Sequence, residues 1–457
     1  MADIDGPAKT GIAAMPGAGV AGAASDAKPN STKLLILLFL AYVCSGLDRL
    51  IMPLMVGPVK QSLGINDLQV GLLQGVAFGL CYAIAGVPLG WLVDRVRRTW
   101  LLAFGILLWS FMTIFCGLAS SFLMLFLARM GLGLTEATLA PSGYSLIGDS
   151  FKRRHLVRAN AIFASGAYVS IGFSYFVAGL VIDYLNSKAA FLKTFGLEPW
   201  QATFIVIALP GLLLVPALMA MPEPPRGERV QATGIGETLK YIWGRRRDYG
   251  PFYFASVLLG VPTYSGMNWF PTHVMRFFGT DPKSTGILVG SLQVAAAFTG
   301  TFVGTWLTEY FVRRNKPDAH LRTIVIISTL ILIGMAGPLM PMKWAALAFW
   351  FVAVIGFSAY FPTCMGALQI MTPSNMRGSN TALIMMCSVL GGQVAGTALV
   401  GALSDHLFPG VSYGIGRSLA MCGVIAALAS LFMALRARPH FAMLMQREEY
   451  SLHAPGR

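Results

Sequence analysis

The sequence predicts an all-α membrane protein of twelve transmembrane helices in two pseudo-symmetric six-helix halves, and three observations carry that expectation. Apolar stretches of about 20 residues, long enough to cross a hydrocarbon core of ~30 Å, recur along the whole chain. Basic residues gather in alternate connections between those stretches. An internal repeat relates the second half to the first. The composition agrees: 55% of residues are hydrophobic and 12% charged, with a mean hydropathy of +0.65, whereas soluble domains carry about 25% charged residues.

In chain order, residues 1–32 are rich in Ala and Gly, mix both charge signs and lack the apolar core of a signal peptide, so a disordered cytoplasmic tail is expected there. The N-terminal half occupies 33–221, with spans over 33–55, 69–93, 99–119, 122–147, 157–184 and 200–221. Met221-Pro-Glu-Pro-Pro-Arg226 breaks helix and opens a charged cytoplasmic linker over 222–250. The C-terminal half follows over 251–437, with spans over 251–277, 284–312, 321–341, 344–371, 378–404 and 414–436, and residues 438–457 form a cytoplasmic tail.

The net charge of +14 raises the question of nucleic acid. Its distribution excludes that reading. Arg95, Arg97, Arg98, Lys152, Arg153, Arg154, Arg245, Arg246, Arg247, Arg313 and Arg314 fall in one set of loops, while the other set holds few cations, among them Lys60, Lys188, Arg276 and Lys283. This positive-inside asymmetry puts both termini in the cytoplasm, with the chain multi-pass in the membrane. The six cysteines lie inside apolar spans without ligand spacing, so neither metal, disulfide framework nor cofactor is suggested.

The repeat pairs Trp91-Leu-Val-Asp-Arg95 with Trp306-Leu-Thr-Glu-Tyr310, each followed by two arginines, and sets Pro141 opposite Pro362. Parallel repeats with a site between them near the midplane are the architecture of transporters. Small residues at four-residue spacing, in Gly71/Gly75/Gly79, Gly86/Gly90, Gly300/Gly304 and Gly392/Gly396, predict close helix contacts, chiefly within each half. Pro53 and Pro58 are expected to interrupt the far part of span 1, and Pro262, Gly266 and Pro271 to interrupt span 7.

A charge at the centre of a span costs roughly 2.5–3.5 kcal/mol on insertion scales and calls for a partner or a function. Asp48 and Arg49 lie inside span 1, and Arg129 and Glu136 lie in span 4, seven residues and therefore two turns apart on one face. On the repeat, Trp350 and Phe357 stand where the first half has Arg129 and Glu136. Carboxylates beside arginines can exchange protons as their surroundings change. Either Asp48 or Glu136 is expected to carry the proton. Arg129 is expected to pair with the ionised carboxylate or with an anionic substrate group. Asp48 and Arg49 point about 100° apart, so only one faces a cavity squarely; Asp48 is the expected one, with Arg49 bracing it or another helix.

Asp94, Arg95 and Arg98 after span 2, with Asp149 after span 4, form a candidate gating latch at the cytoplasmic end. His273, Arg276 and His406 are assigned no role.

Gly90-Trp-Leu-Val-Asp94-Arg95-Val-Arg-Arg98 resembles the GxLxDRxxR loop signature of the major facilitator superfamily. Asp48-Arg49, Leu63-Gly-Ile-Asn-Asp-Leu-Gln69 and Arg129-Met-Gly-Leu-Gly-Leu-Thr-Glu136 resemble its Spinster-like group, most closely bacterial members, over residues 44–180. The resemblance implies a monomeric secondary transporter of lysophospholipids or sphingoid phosphates in a bacterial inner membrane, proton-coupled as in some members and working by alternating access among membrane lipids, with roles for Asp48, Arg49, Arg129 and Glu136. A small organic anion or a hydrophobic drug is the alternative cargo. An integral-membrane enzyme or sensor is a distant third, since no HExxH, GxSxG or phosphate-loop motif occurs.

Overall fold

The structure, a computed structural model, describes residues 30–226 and 234–446. The expected N-terminal tail, the middle of the linker and the end of the C-terminal tail lie outside these residues.

Twelve long helices follow one another, with no strand among the described residues. In the first half, helix 1 runs Ser31–Leu50 and continues as Met52–Leu63; helix 2 comprises Asp67–Gly71, Leu72–Ala77 and Phe78–Val93. Helix 3 is Arg98–Gly117, helix 4 is Phe122–Glu136 with Leu139–Ser150, helix 5 is Arg153–Ser187 and helix 6 is Pro199–Met219. In the second half, helices 7 to 10 are Arg246–Phe278, Pro282–Arg313, Ala319–Gly334 and Lys343–Met371. Helix 11 comprises Arg377–Ser388, Val389–Gly396 and Thr397–Leu407, and helix 12 is Gly414–Gln446, reaching well past the expected end of the last span. A short helix, Ile235–Gly244, occupies the linker.

Local sequence accounts for the boundaries. Helix 2 opens on a capping box in which Asn66 and Gln69 satisfy each other's backbone N–H groups at 2.8 and 3.0 Å. Helix 4 opens on Ser121, and helix 8 on Asp281 followed by Pro282 at its first position. Helix 1 closes on Gly64, which takes the left-handed φ of 64° that a Cβ would disfavour.

Among the described residues, eleven helices are long and apolar enough to span a membrane by length and composition. Helix 7 is the exception. It carries Thr263, Ser265, Asn268, Thr272 and His273, all buried against protein and not facing lipid.

Proline acts at some expected positions and not at others. Helix 1 breaks at Ile51, two residues before Pro53, and helix 4 breaks after Glu136, where Pro141 cannot donate to the Ala137 carbonyl. Helix 7 contains Pro251, Pro262 and Pro271 without interruption, contrary to the expected break. Irregular backbone appears instead as π-helical turns in helices 2 and 11, Leu72–Ala77 and Val389–Gly396, which contain no proline and face each other.

The glycine pattern reads differently in space. Gly300 and Gly304 pack on Ile355 and Ala359 within the second half, as expected. Gly71, Gly75 and Gly79 instead press helix 2 of the first half onto helix 11 of the second: a Cβ on Gly75 would lie 2.5 Å from the Gln393 carbonyl oxygen. Gly286 and Gly290 of helix 8 meet Tyr175 and Gly172 of helix 5 in the same way. Gly86 and Gly90, further along helix 2, have nothing within 4 Å of an added Cβ. The halves are therefore closed on each other at the end away from the chain termini and part towards the end that carries them.

Candidate functional site

The four intramembrane charges come together where helix 1 breaks beside helix 4. Asp48, Arg129 and Glu136 are each about 1% exposed. The Arg49 side chain retains 29% exposure, so the adjacent pair presents Arg49 outward and seals Asp48, the reverse of the expected orientation.

Glu136 takes its ion pair from Arg49, across helices, and accepts a second hydrogen bond from Ser45 on the same oxygen. Its other carboxylate oxygen has no partner among the described residues. The Arg49 guanidinium lies 4.6 Å from the ring centre of Phe78 and 5.2 Å from that of Tyr82, which gives a partly desolvated cation a favourable π surface. Tyr42 and Tyr264 also lie within electrostatic reach of it, and Tyr264 belongs to helix 7 of the opposite half.

Arg129 does something that spacing alone did not reveal. Pro53 has no N–H, so the carbonyl of Arg49, four residues earlier, loses its helical partner. Arg129 donates to that carbonyl at 3.4 Å and to the Asp48 carbonyl at 3.2 Å. In this conformation it holds the break in helix 1 and does not pair with Glu136. One oxygen of the buried Asp48 carboxylate is without a hydrogen-bond partner among the described residues.

Across from this cluster the second half offers amides and rings. Asn268 of helix 7 donates to Gln393 of helix 11 at 3.4 Å, and Gln393 donates to the Gln74 carbonyl of helix 2 at 2.7 Å. The Gln74 side chain is fully buried, and neither of its polar atoms has a hydrogen-bond partner among the described residues. Trp350, in the repeat position of Arg129, stacks on Phe270 with ring centres 3.9 Å apart and meets Phe357 edge-on. Aromatic packing thus replaces charge in the second half, as the repeat suggested. Among the described residues no group of side chains could hold a metal ion.

The closed end is locked by residues that sequence reasoning passed over. Asp67, at the start of helix 2, receives Lys60 at 2.5 Å, both arms of Arg276 from helix 7 at 2.9 Å, and Ser404 from helix 11 at 3.0 Å. Asp405 of helix 11 accepts the backbone N–H groups of Asp67 and Leu68 at 3.2 and 2.6 Å, capping helix 2 from the other half. Thr272 donates to the Pro53 carbonyl across the same seam at 2.8 Å. The available signal was the acidic residue after Asn66, which also reads as an ordinary helix start.

At the terminus-bearing end, the candidate latch resolves into two parts. Arg98 is fully buried, ion-paired with Asp149, and donates to Glu223 at 2.7 Å, to the Ser145 carbonyl at 3.1 Å and to the Pro224 carbonyl at 2.9 Å. This ties the start of helix 3, the end of helix 4 and the segment after helix 6 together inside one half. Burial pushes the Glu223 carboxyl up, but hydrogen bonds from Arg98 and the Thr99 N–H outweigh it and hold the group below its usual range. Asp94 and Arg95 are exposed at the same end. Arg95 stacks 3.5 Å above the Trp91 ring, and Arg226 donates to the Asp94 and Val96 carbonyls. Glu223 and Arg226 were not anticipated.

The second half repeats the Arg98 arrangement with its signs exchanged. Asp318, before helix 9, receives Arg322 and Arg438 at 2.7 Å each.

Similarity to known proteins agrees with this architecture. The chain is 23% identical to a probable L-galactonate transporter of Escherichia coli (strain K12), over 88% of each chain. It is 25% identical to a probable galactarate/D-glucarate transporter of Bacillus subtilis (strain 168), over 73% of this chain and 76% of the relative. Its fold is similar to the crystal structure of a bacterial homolog of the human lysosomal transporter Spinster in an inward-facing, unoccupied conformation, with a TM-score of 0.75, 22% identity, and coverage of 94% of this chain and 100% of that one. Two six-helix repeats closed at one end, with buried charge at their seam, describe a secondary transporter and not an enzyme. With residues 38–396 matching the family model, the chain belongs to the Major Facilitator Superfamily.

Proposed function

We propose that the chain is a proton-coupled transporter of organic anions, in which Arg49 binds the anionic group and Glu136 carries the proton. The observation that supports this most directly is the asymmetry of their ion pair: Arg49 is 29% exposed and Glu136 is sealed. An arriving carboxylate or phosphate can compete for the guanidinium in a bidentate way. Glu136 then loses its counter-charge in a buried setting, where the neutral acid is favoured, and takes up a proton. The reverse exchange on the other side releases both, and the two halves rock about the site. With the termini in the cytoplasm, the conformation described is inward-facing and Asp67 is the outer latch.

A small polyhydroxylated acid is the favoured cargo. The amides of Gln74, Asn268 and Gln393 offer donors and acceptors suited to hydroxyl groups, and the two relatives are named for sugar acids. The lysophospholipid or sphingoid phosphate implied by the Spinster-like motifs is the second reading. Half-buried Met365 and Met386 beside exposed Met385, able to adapt to a flexible tail, favour it.

Purified protein in liposomes with an imposed pH gradient tests the proposal. Glu136→Gln is expected to abolish proton-driven accumulation while keeping exchange of labelled galactonate for unlabelled, and Arg49→Ala to abolish both. Accumulation unchanged in both variants refutes the site. Stabilisation by lysophospholipid but not by galactonate or glucarate in a thermal-shift assay selects the second reading.

A further inference from the structure

Helix 7 runs unbroken through Pro271, and the group that permits this comes from the other half. Proline has no N–H, so the carbonyl of Met267, one turn earlier, loses its helical donor. Tyr175 of helix 5 donates its hydroxyl hydrogen to that carbonyl. Tyr175 is 1% exposed, and its backbone and Cβ lie against Gly286 and Gly290 of helix 8. Arg129 serves the carbonyl freed by Pro53 in the same way, but within one half. The Tyr175 bond crosses the seam. Thr272 and Arg276, just past Pro271, also reach the first half, at the Pro53 carbonyl and at Asp67. Those two contacts use side chains of helix 7, so breaking them leaves its backbone bonds intact. The Tyr175 bond ends on the backbone itself. His273, two residues past the proline, is buried, and neither ring nitrogen has a hydrogen-bond partner among the described residues. The straight helix therefore keeps dry a polar ring that a bend would give to water.

We propose that Tyr175 is a positioning residue that silences a latent hinge at Pro271, holding helix 7 straight while the halves are closed on each other and freeing it when they part. As the seam opens, helix 5 withdraws the hydroxyl and the Met267 carbonyl keeps no donor from either helix. A proline beside such a carbonyl is where helices bend. Residues 272–278 then move separately from the rest of helix 7, taking Thr272 and Arg276 away from their partners and opening His273 to water. On closure the hydroxyl returns, and the straight form is restored together with the Asp67 latch. The backbone of the second half thereby registers the position of the first. The inference goes beyond the choice of cargo and proton carrier and needs only that the halves separate at this end.

A double-mutant cycle read by hydrogen exchange tests this without cargo, so its outcome is separate from that of the Arg49 and Glu136 experiment. Full-length protein, Tyr175→Phe, Pro271→Ala and the double variant are placed in phosphatidylglycerol nanodiscs, and backbone exchange over 272–278 and 252–261 is followed by mass spectrometry. Tyr175→Phe keeps the ring and loses only the hydroxyl. It is expected to speed exchange over 272–278 by about tenfold, the weight of one buried hydrogen bond, and to leave 252–261 unchanged. Pro271→Ala restores an N–H for the Met267 carbonyl, so in that background the tyrosine substitution is expected to change neither segment. Exchange over 272–278 that ignores Tyr175→Phe overturns the proposal, because the bond then restrains nothing. Equal acceleration with proline and with alanine at 271 also overturns it, since Tyr175 would then act through packing alone. Acceleration of both segments together marks general loosening and counts against it equally.

Discussion

Asp67 of the first half and Arg276 of the second form a two-armed ion pair, with both guanidinium nitrogens 2.9 Å from carboxylate oxygens, at the closed end of the molecule. Ser404 adds a third element to the junction. Asp67→Asn removes the charge that three helices share. The population is expected to shift towards the conformation open at that end, read as a longer distance between spin labels on helices 2 and 11 in double electron–electron resonance. Arg276→Gln should act in the same direction, and an unchanged distance distribution in both would show that glycine packing alone holds the seam.

The second prediction concerns the break in helix 1. Arg129→Met leaves the Arg49 carbonyl, which Pro53 cannot serve, without its donor, at a cost of roughly 1–3 kcal/mol for the buried group. Pro53→Ala restores an N–H four residues from Arg49. The double variant is therefore expected to be more stable than Arg129→Met alone, a positive coupling in a double-mutant cycle followed by thermal unfolding in detergent.

Gly75 packs directly on the π-helical turn of helix 11, against the backbone of Gln393 and Val394. A Cβ at this position would lie 2.5 Å from a backbone oxygen of the other half, and backbone cannot yield as a side chain can. Gly75→Val should wedge the closed end apart and slow transport, whereas Gly86→Val, facing open space, should be tolerated. Cysteine accessibility at the closed ends of helices 2 and 11 distinguishes the two outcomes.

A fourth prediction follows from Glu223 and Asp318, both held below the usual carboxylate range: burial raises each, and hydrogen bonds from arginines override it. A carboxyl whose folded pKa is depressed adds stability that is complete above its unfolded value and is lost as pH falls through the folded one. Stability from these two groups should be full at neutral pH and fade below about 4. Glu223→Gln should lower the unfolding temperature at pH 7 and flatten its decline in acid. A parallel decline in wild type and variant would count against the assignment.

Much of this protein is legible without coordinates because a membrane imposes one-dimensional rules. An apolar run of fixed length must be a spanning helix, and cations must accumulate on one side, so the helix count, the repeat and the cost of Asp48, Arg49, Arg129 and Glu136 all follow from composition along the chain. Helix 7 was found by the same rule, from its apolar stretch over 251–277, although it is more polar than the other eleven.

Pairing was not legible. Which carboxylate takes which arginine depends on where helix 1 breaks and how it turns against helix 4. That rotation put Arg49 on Glu136 and Arg129 on backbone carbonyls. Likewise Asp67, Glu223 and Asp405 look like ordinary loop acids until helices more than a hundred residues apart bring partners to them. Periodicity and burial cost are properties of a segment and can be read from it. An ion pair between distant segments is a property of their relative placement, which tertiary packing alone decides.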